Sequence, residues 1–367
     1  MSDTVTLFVG TYSRKEGHVD GQGKGVYAFQ FDLLTGALAP LGLQHEVGIN
    51  PTYLAGTKDT LYAIQECDEP LASDASSLTG YVSALRIDNG KLTLLNRLET
   101  RGTFPCHVSV NADQDFVAVS NYGGGSVALY PINADGSLAE LSDLHQFEGA
   151  SLAVPDRQEA PHLHSSSWAP NGNYLFGADL GNDRVAQFVV DKATKKLVPN
   201  PNGAFAVRPT GSGPRHLAIH APLNVAYVAD ELSNTVGVHK YDAATGTLSS
   251  EAIQNISTLP SDYTGAGSCA DIHIAGDFVY VSTRFHDHLA IYRINSEDDG
   301  KLSLVGFEST RGKVPRNFLV FRNFLLVANQ DTDNIEVFHI DTVNGKLVFT
   351  GTSAACPTPV SLFIPPQ

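Results

Sequence analysis

A four-strand unit that recurs at intervals of about fifty residues restricts this chain's fold more than any other feature. Short apolar segments rich in β-branched residues, among them Phe116–Ser120, Val225–Ala229, Phe278–Ser282 and Phe324–Ala328, read as strands. A polar turn and a second alternating segment follow each, as in Asn234–Asp242 and Asn334–Asp341. A tight turn and a Leu-led strand come next, with the turn marked by Gly36, Gly90, Gly136, Gly246, Gly300 and Gly345. Asn-Gly and Asp-Gly pairs suit such turns because both residue types tolerate positive φ. The fourth unit departs from this pattern, with Lys195 where the others carry glycine.

A proline marks most entries into a unit: Pro51, Pro105, Pro161, Pro214 and Pro315, whereas the sixth unit begins at Ser268-Cys269 without one. Proline at the first residue of a strand removes no ladder hydrogen bond. The last entry, near Pro359, has a single strand after it, and the first unit, beginning at Leu7, lacks an entry strand. The expected fold is therefore an all-β, seven-bladed propeller of four-stranded antiparallel blades, in which residues 358–365 complete the first blade beside residues 5–11. Closure of this kind removes sheet edges that would invite aggregation. No linker interrupts the units, so residues 1–367 are expected to form one domain, with residues 65–80 as the longest hairpin insertion.

Composition narrows the function. Lys and Arg total 24 against 39 Asp and Glu, a net charge of −15 that opposes nucleic acid and anionic membranes as partners. Cys67, Cys106, Cys269 and Cys356 are scattered without a C-x-x-C pair, which argues for reduced, buried thiols. The first residues show no basic and apolar leader pattern, and no segment reaches the length of a membrane span, so the expected location is the cytoplasm.

Strand one of each blade begins, and strand two ends, on the same edge of the propeller. Aligning the units places Thr52, Cys106, His164, Arg215, Ala270, Arg316 and Val360 in one ring around the axis, and Tyr12, Glu66, Tyr122, Leu180, Glu231, Arg284 and Gln330 in a second. Three arginines, a histidine and two glutamates would then share one end of the channel. Charges are seldom buried unpaired, so this end is the expected site. The alternative is a water-filled axis with charges paired across it.

The motifs Gly213-Pro-Arg-His216 with Asp230-Glu-Leu-Ser-Asn234, Ala270-Asp-Ile-His273, and Val314-Pro-Arg-Asn317 with Ala328-Asn-Gln-Asp331 resemble the bacterial 6-phosphogluconolactonase and fungal carboxy-cis,cis-muconate cyclase family of propellers. The resemblance spans essentially the whole chain. It implies an enzyme without cofactor or metal, acting on a small anionic lactone or its open acid, with His164, Arg215, Glu231 and Arg284 as the catalytic group. His107, His216, Asp271, Arg316 and Gln330 are candidate substrate contacts. His162, two residues before His164, competes for its role.

Arginine suits carboxylate or phosphate recognition because its planar fork donates two parallel hydrogen bonds. Arg215 and Arg284 are accordingly expected to clamp an anion, His164 to move a proton, and Glu231 to serve either as a base or as an anchor for arginine. A Cys106 thiolate nucleophile is a further option. A propeller of this composition could also bind an acidic ligand or partner without turnover, since fold does not fix function. The sequence leaves the lactone, the reaction direction and the oligomeric state open.

Overall fold

The computed structural model describes residues 3–367 and arranges them as seven four-stranded antiparallel blades around a common axis. The expected closure is present. Pro359–Phe363 pairs with Thr4–Thr11, bringing Phe8 opposite Phe363 and Val9 opposite Leu362, so the first blade joins both ends of the chain. In the fourth and fifth blades the outer edge is split between two short strands, Lys196–Pro199 with Phe205–Val207, and Thr247–Leu248 with Gln254–Ser257. The insertion near residues 65–80 is not a loose loop. It extends the hairpin formed by Thr60–Leu71 and Asp74–Asp88 beyond the sheet.

The recurring glycine turns are also blade-to-blade contacts. Gly36, Gly90, Gly136, Gly246, Gly300 and Gly345 all have φ between 65° and 86°. A Cβ at Gly345 would lie 2.3 Å from the Phe278 ring of the preceding blade, and one at Gly246 would lie 2.1 Å from the Tyr174 ring. The Tyr62, Tyr227 and Tyr280 hydroxyls donate to the carbonyls of Gly136, Gly300 and Gly345 in the next blade, at 2.9, 2.8 and 2.7 Å. The fourth blade substitutes an ion pair for this contact. Lys195 takes the left-handed conformation at φ 58°, and Lys192 reaches back to Asp113.

The apolar core lies between blades. Leu7, Val9 and Phe31 of the first blade pack on Phe324, Leu326 and Val337 of the seventh, and similar clusters fill the other junctions. One buried charge pair is woven into this core. Arg208, 2% exposed, donates through Nε and Nη2 to the two oxygens of Asp230 at 3.0 and 2.5 Å, and also reaches Asn255. Gly237 leaves room for that guanidinium, since a Cβ there would sit 2.1 Å from Nη1.

Candidate active site at one mouth of the channel

A shared irregularity in the inner strands aims the site residues. The entry strand slips register against its neighbour between Pro105 and His107, Leu163 and Ser165, Pro214 and His216, Cys269 and Ile272, and Pro315 and Asn317. The skipped residues are Cys106, His164, Arg215, Ala270 with Asp271, and Arg316. A bulge of this type bends the strand and re-aims a side chain. It lets Arg215 turn toward the mouth while His216, next in sequence, faces further down the channel.

The mouth holds a cavity of about 510 Å³ walled by Glu66, Cys106, Tyr122, Arg157, His164, Glu231, Arg284 and Arg316, with Phe104 and Phe285 as apolar surfaces. A small hairpin, Lys15–Glu16 paired with Val19–Asp20, places Glu16, Gly17 and His18 on the same wall. Phe104 and Phe285 adopt φ of 46° and 73°, uncommon for bulky residues. The Phe285 N–H donates to Asp287 Oδ1 at 3.1 Å, which helps hold this conformation.

Glu231, 3% exposed, is the hub. Its Oε1 accepts from Arg157 Nη2 at 2.6 Å, and its Oε2 lies 3.0 Å from Arg215 Nε and 2.9 Å from Arg284 Nη2. Burial alone would raise its pKa, but Arg284, Arg157 and Arg215 outweigh burial and hold the carboxyl well below the usual carboxylate range. Burial pushes Arg284 down to about 10 despite Glu231. Arg284 also donates to Ser268 Oγ at 2.7 Å, and Arg215 Nη1 donates to the Ala270 carbonyl.

Three groups around this hub are uncommitted or neutral. Arg316 makes no ion pair among the described residues, and its guanidinium carbon lies 5.5 Å from the centre of the Tyr12 ring. His164 Nε2 stands 3.9 Å from Glu231 Oε2, too far for a hydrogen bond. Burial, followed by the positive charge of Arg215, holds its imidazole well below the ordinary histidine range, so it is neutral at pH 7. The Cys106 thiol is pushed up by burial and donates to the His164 carbonyl at 3.1 Å, which disfavours a thiolate nucleophile.

The other expected residues lie elsewhere. His162 stacks on Tyr122 with ring centres 4.5 Å apart and pairs with Glu159 at 3.0 Å, leaving His164 as the histidine of inner-strand origin on the cavity wall. Arg215 stands behind Glu231 rather than on that wall. Gln330 lines a neighbouring hollow with Lys15, His18 and Asp331. His107, His216 and Asp271 belong to a second tier, lining a channel space of about 570 Å³ with Tyr53, Ser166 and Asn317. There Asp271 accepts from Asn317 Nδ2 at 2.6 Å and sits 2.7 Å from His216 Nδ1 and 3.0 Å from His273 Nε2. Burial lowers His216 to about 4, so the ring is neutral. With its proton on Nδ1 toward Asp271, its Nε2 can accept from Arg215 Nη1 at 3.4 Å. This tier braces Arg215 from below.

Arg157 is invisible to the repeat because it sits on the connection between the third and fourth blades, which has no counterpart elsewhere. The roof residues Glu16 and His18 escape it for the same reason. Among the described residues, no three His, Cys, Asp or Glu side chains converge to hold a metal ion.

Comparison with known proteins agrees with this architecture. Residues 6–364 match the family described as lactonase, 7-bladed beta-propeller. The chain is 35% identical to a 6-phosphogluconolactonase of Bacillus subtilis over 361 residues, covering 96% of each protein. It is 32% identical to a 6-phosphogluconolactonase of Formosa agariphila, covering 93% of this chain and 94% of the relative. The solved structure of a periplasmic gluconolactonase from Pseudomonas aeruginosa superposes with a TM-score of 0.87 at 30% identity, over 99% of both chains. With a closed ring of seven blades and a family match over nearly its whole length, the chain belongs to the seven-bladed β-propeller lactonases.

Proposed function

We propose that this protein hydrolyses a small anionic sugar lactone, of the kind named for its 6-phosphogluconolactonase relatives, using side chains alone. The observation that carries this reading is the division of labour among the cations at the mouth. Glu231 occupies Arg157, Arg215 and Arg284, whereas Arg316 faces the cavity without a carboxylate partner among the described residues. Arg316 is the group that takes the substrate's phosphate or carboxylate, through charge-assisted hydrogen bonds. Arg284, held against Glu231 and Ser268, is placed to stabilise the negative charge that develops on the carbonyl oxygen during water attack.

His164 acts as the base. A neutral imidazole with Nε2 3.9 Å from Glu231 can take the proton of a water as that water attacks the lactone carbon; burial and the neighbouring arginines disfavour the imidazolium that forms, so it is short-lived and passes its proton on. Glu231 is saturated by guanidinium donors and serves as their anchor. Ring closure of a carboxymuconate would use the same groups with the proton delivered to carbon, so the test covers both directions. Purified protein is assayed against 6-phosphogluconolactone, unphosphorylated gluconolactone and a carboxymuconate, with and without exhaustive chelation. The reading expects ring opening of the phosphorylated lactone above its spontaneous rate and insensitive to chelator. Turnover of no lactone, or turnover abolished by chelator and restored by a divalent cation, overturns it.

A further inference from the structure

Lactone hydrolysis needs a second proton transfer, because the ring oxygen leaves as an alkoxide unless it is protonated as the C–O bond breaks. Glu231, held ionised, cannot donate that proton, so the donor is either the imidazolium that His164 becomes or a separate acid on the cavity wall. A second carboxyl lies on the same cavity wall. Glu66 is 8% exposed, and its oxygens are held by hydroxyls rather than cations: Oε2 accepts from Thr52 Oγ1 at 2.6 Å, and Oε1 lies 2.8 Å from the Tyr12 hydroxyl. That hydroxyl in turn meets His18 Nε2 at 3.1 Å. Tyr12 is fully buried, whereas His18 sits on the exposed roof hairpin, so the chain Glu66, Tyr12, His18 runs from the cavity to solvent.

We propose that Glu66 is the general acid that protonates the leaving ring oxygen, and that it is recharged from solvent through Tyr12 and His18; this assignment rests on the lactonase reading. The steps balance. Water adds to the carbonyl carbon and gives one proton to His164 Nε2. The bond from that carbon to the ring oxygen breaks, and the Glu66 proton goes to the oxygen, leaving a hydroxyl. The new carboxylic acid and His164 each release a proton, one proton returns to Glu66, and one net proton leaves with the hydroxy acid. The return path passes from His18 Nε2–H to the Tyr12 oxygen, and from the Tyr12 O–H to Glu66 Oε1.

Electrostatics agree with the geometry. Burial raises the pKa of Glu66 above its ordinary value, and Glu16 on the roof hairpin adds to the rise. Arg316 of the seventh blade, Thr52 beside it and Tyr12 of the first blade act in the opposite direction without cancelling it. Cys106 of the third blade also faces the group but remains a neutral thiol. Glu231 and Glu66 thus share one cavity with their acidities pushed apart, the condition that lets one carboxyl stay ionised while another donates.

The test uses the full chain and 6-phosphogluconolactone. Wild type should show an alkaline limb in kcat, as the acid loses its proton. Glu66→Gln should lower kcat by about 10²–10⁴-fold, abolish that limb and leave KM within about threefold. Tyr12→Phe, which removes only the relay oxygen, should lower kcat by about tenfold and retain the limb. A Glu66→Gln enzyme with kcat within a few-fold of wild type, or with the alkaline limb intact, overturns the assignment while leaving the lactonase reading in place. A Tyr12→Phe enzyme with unchanged kcat overturns the relay. A wild type that opens no lactone overturns both.

Discussion

Replacing Glu231 with glutamine removes the single negative charge that three guanidinium groups share, and the burial of those groups sets the cost. Arg215 and Arg284 are 3% and 7% exposed, so neither can recover its lost partner from bulk water. Breaking a buried ion pair from one side costs about 3–5 kcal/mol, because a charge is left uncompensated. Glutamine keeps the shape and can accept from one guanidinium, which favours the lower figure of about 3 kcal/mol. For a urea slope of about 3 kcal/mol/M, the upper value for small proteins, the midpoint at pH 7 should fall by about 1 M.

The pH dependence has a definite sign. The folded-state pKa of Glu231 is depressed below its ordinary value of 4.5, so its stabilisation is present above that value and is lost as pH falls toward the folded pKa. The gap between wild type and Glu231→Gln should therefore be constant from pH 7 to about 5, then narrow by up to about 1.4 kcal/mol per pH unit below about 4.5. Urea titrations at pH 7, 5 and 3.5 measure it. Equal stability at pH 7, or a gap that stays constant or widens in acid, would refute the description of Glu231 as an ionised hub.

Two further expectations concern the site and the core. His164→Ala should reduce turnover by about 10²–10⁴-fold with little change in KM, whereas His162→Ala, removing a ring that stacks on Tyr122 outside the cavity, should keep most of it; the reverse ranking in steady-state assays contradicts the assignment of the base. Arg208→Ala should destabilise the fold by about 3–5 kcal/mol, because it strands Asp230, fully buried at the end of the strand that leads into Glu231; an unaltered urea midpoint counts against this.

The sequence displayed the blade period and the glycine turns because each repeats under a local constraint of backbone angle or blade contact, and it displayed the closing strand because the first and last units are each incomplete. It also brought His164, Glu231, Arg284 and Arg316 to one mouth, since strand starts and ends can be aligned by their prolines. Irregularity concealed the rest. The register slip at each entry strand breaks strict alternation, so Arg215 and His216, though adjacent, belong to different tiers, and a reading that placed both against substrate could not separate them. Arg157 and His18 arrive on connections found in one blade only. The Arg208–Asp230 pair joins a loop to a strand end, and no spacing rule links them.

The central claim, that the mouth of this propeller reads a substrate anion through Arg316 while Glu231 occupies the other arginines, is tested most directly by the ratio of kcat/KM for 6-phosphogluconolactone to that for unphosphorylated gluconolactone. A charge-assisted contact of about 1.5–3 kcal/mol corresponds to roughly 10- to 100-fold. Wild type should prefer the phosphorylated lactone by that factor, and Arg316→Ala should lose the preference, with Arg316→Lys restoring part of it. A wild type that does not distinguish the two lactones, or an Arg316→Ala variant that retains the full preference, would contradict the account.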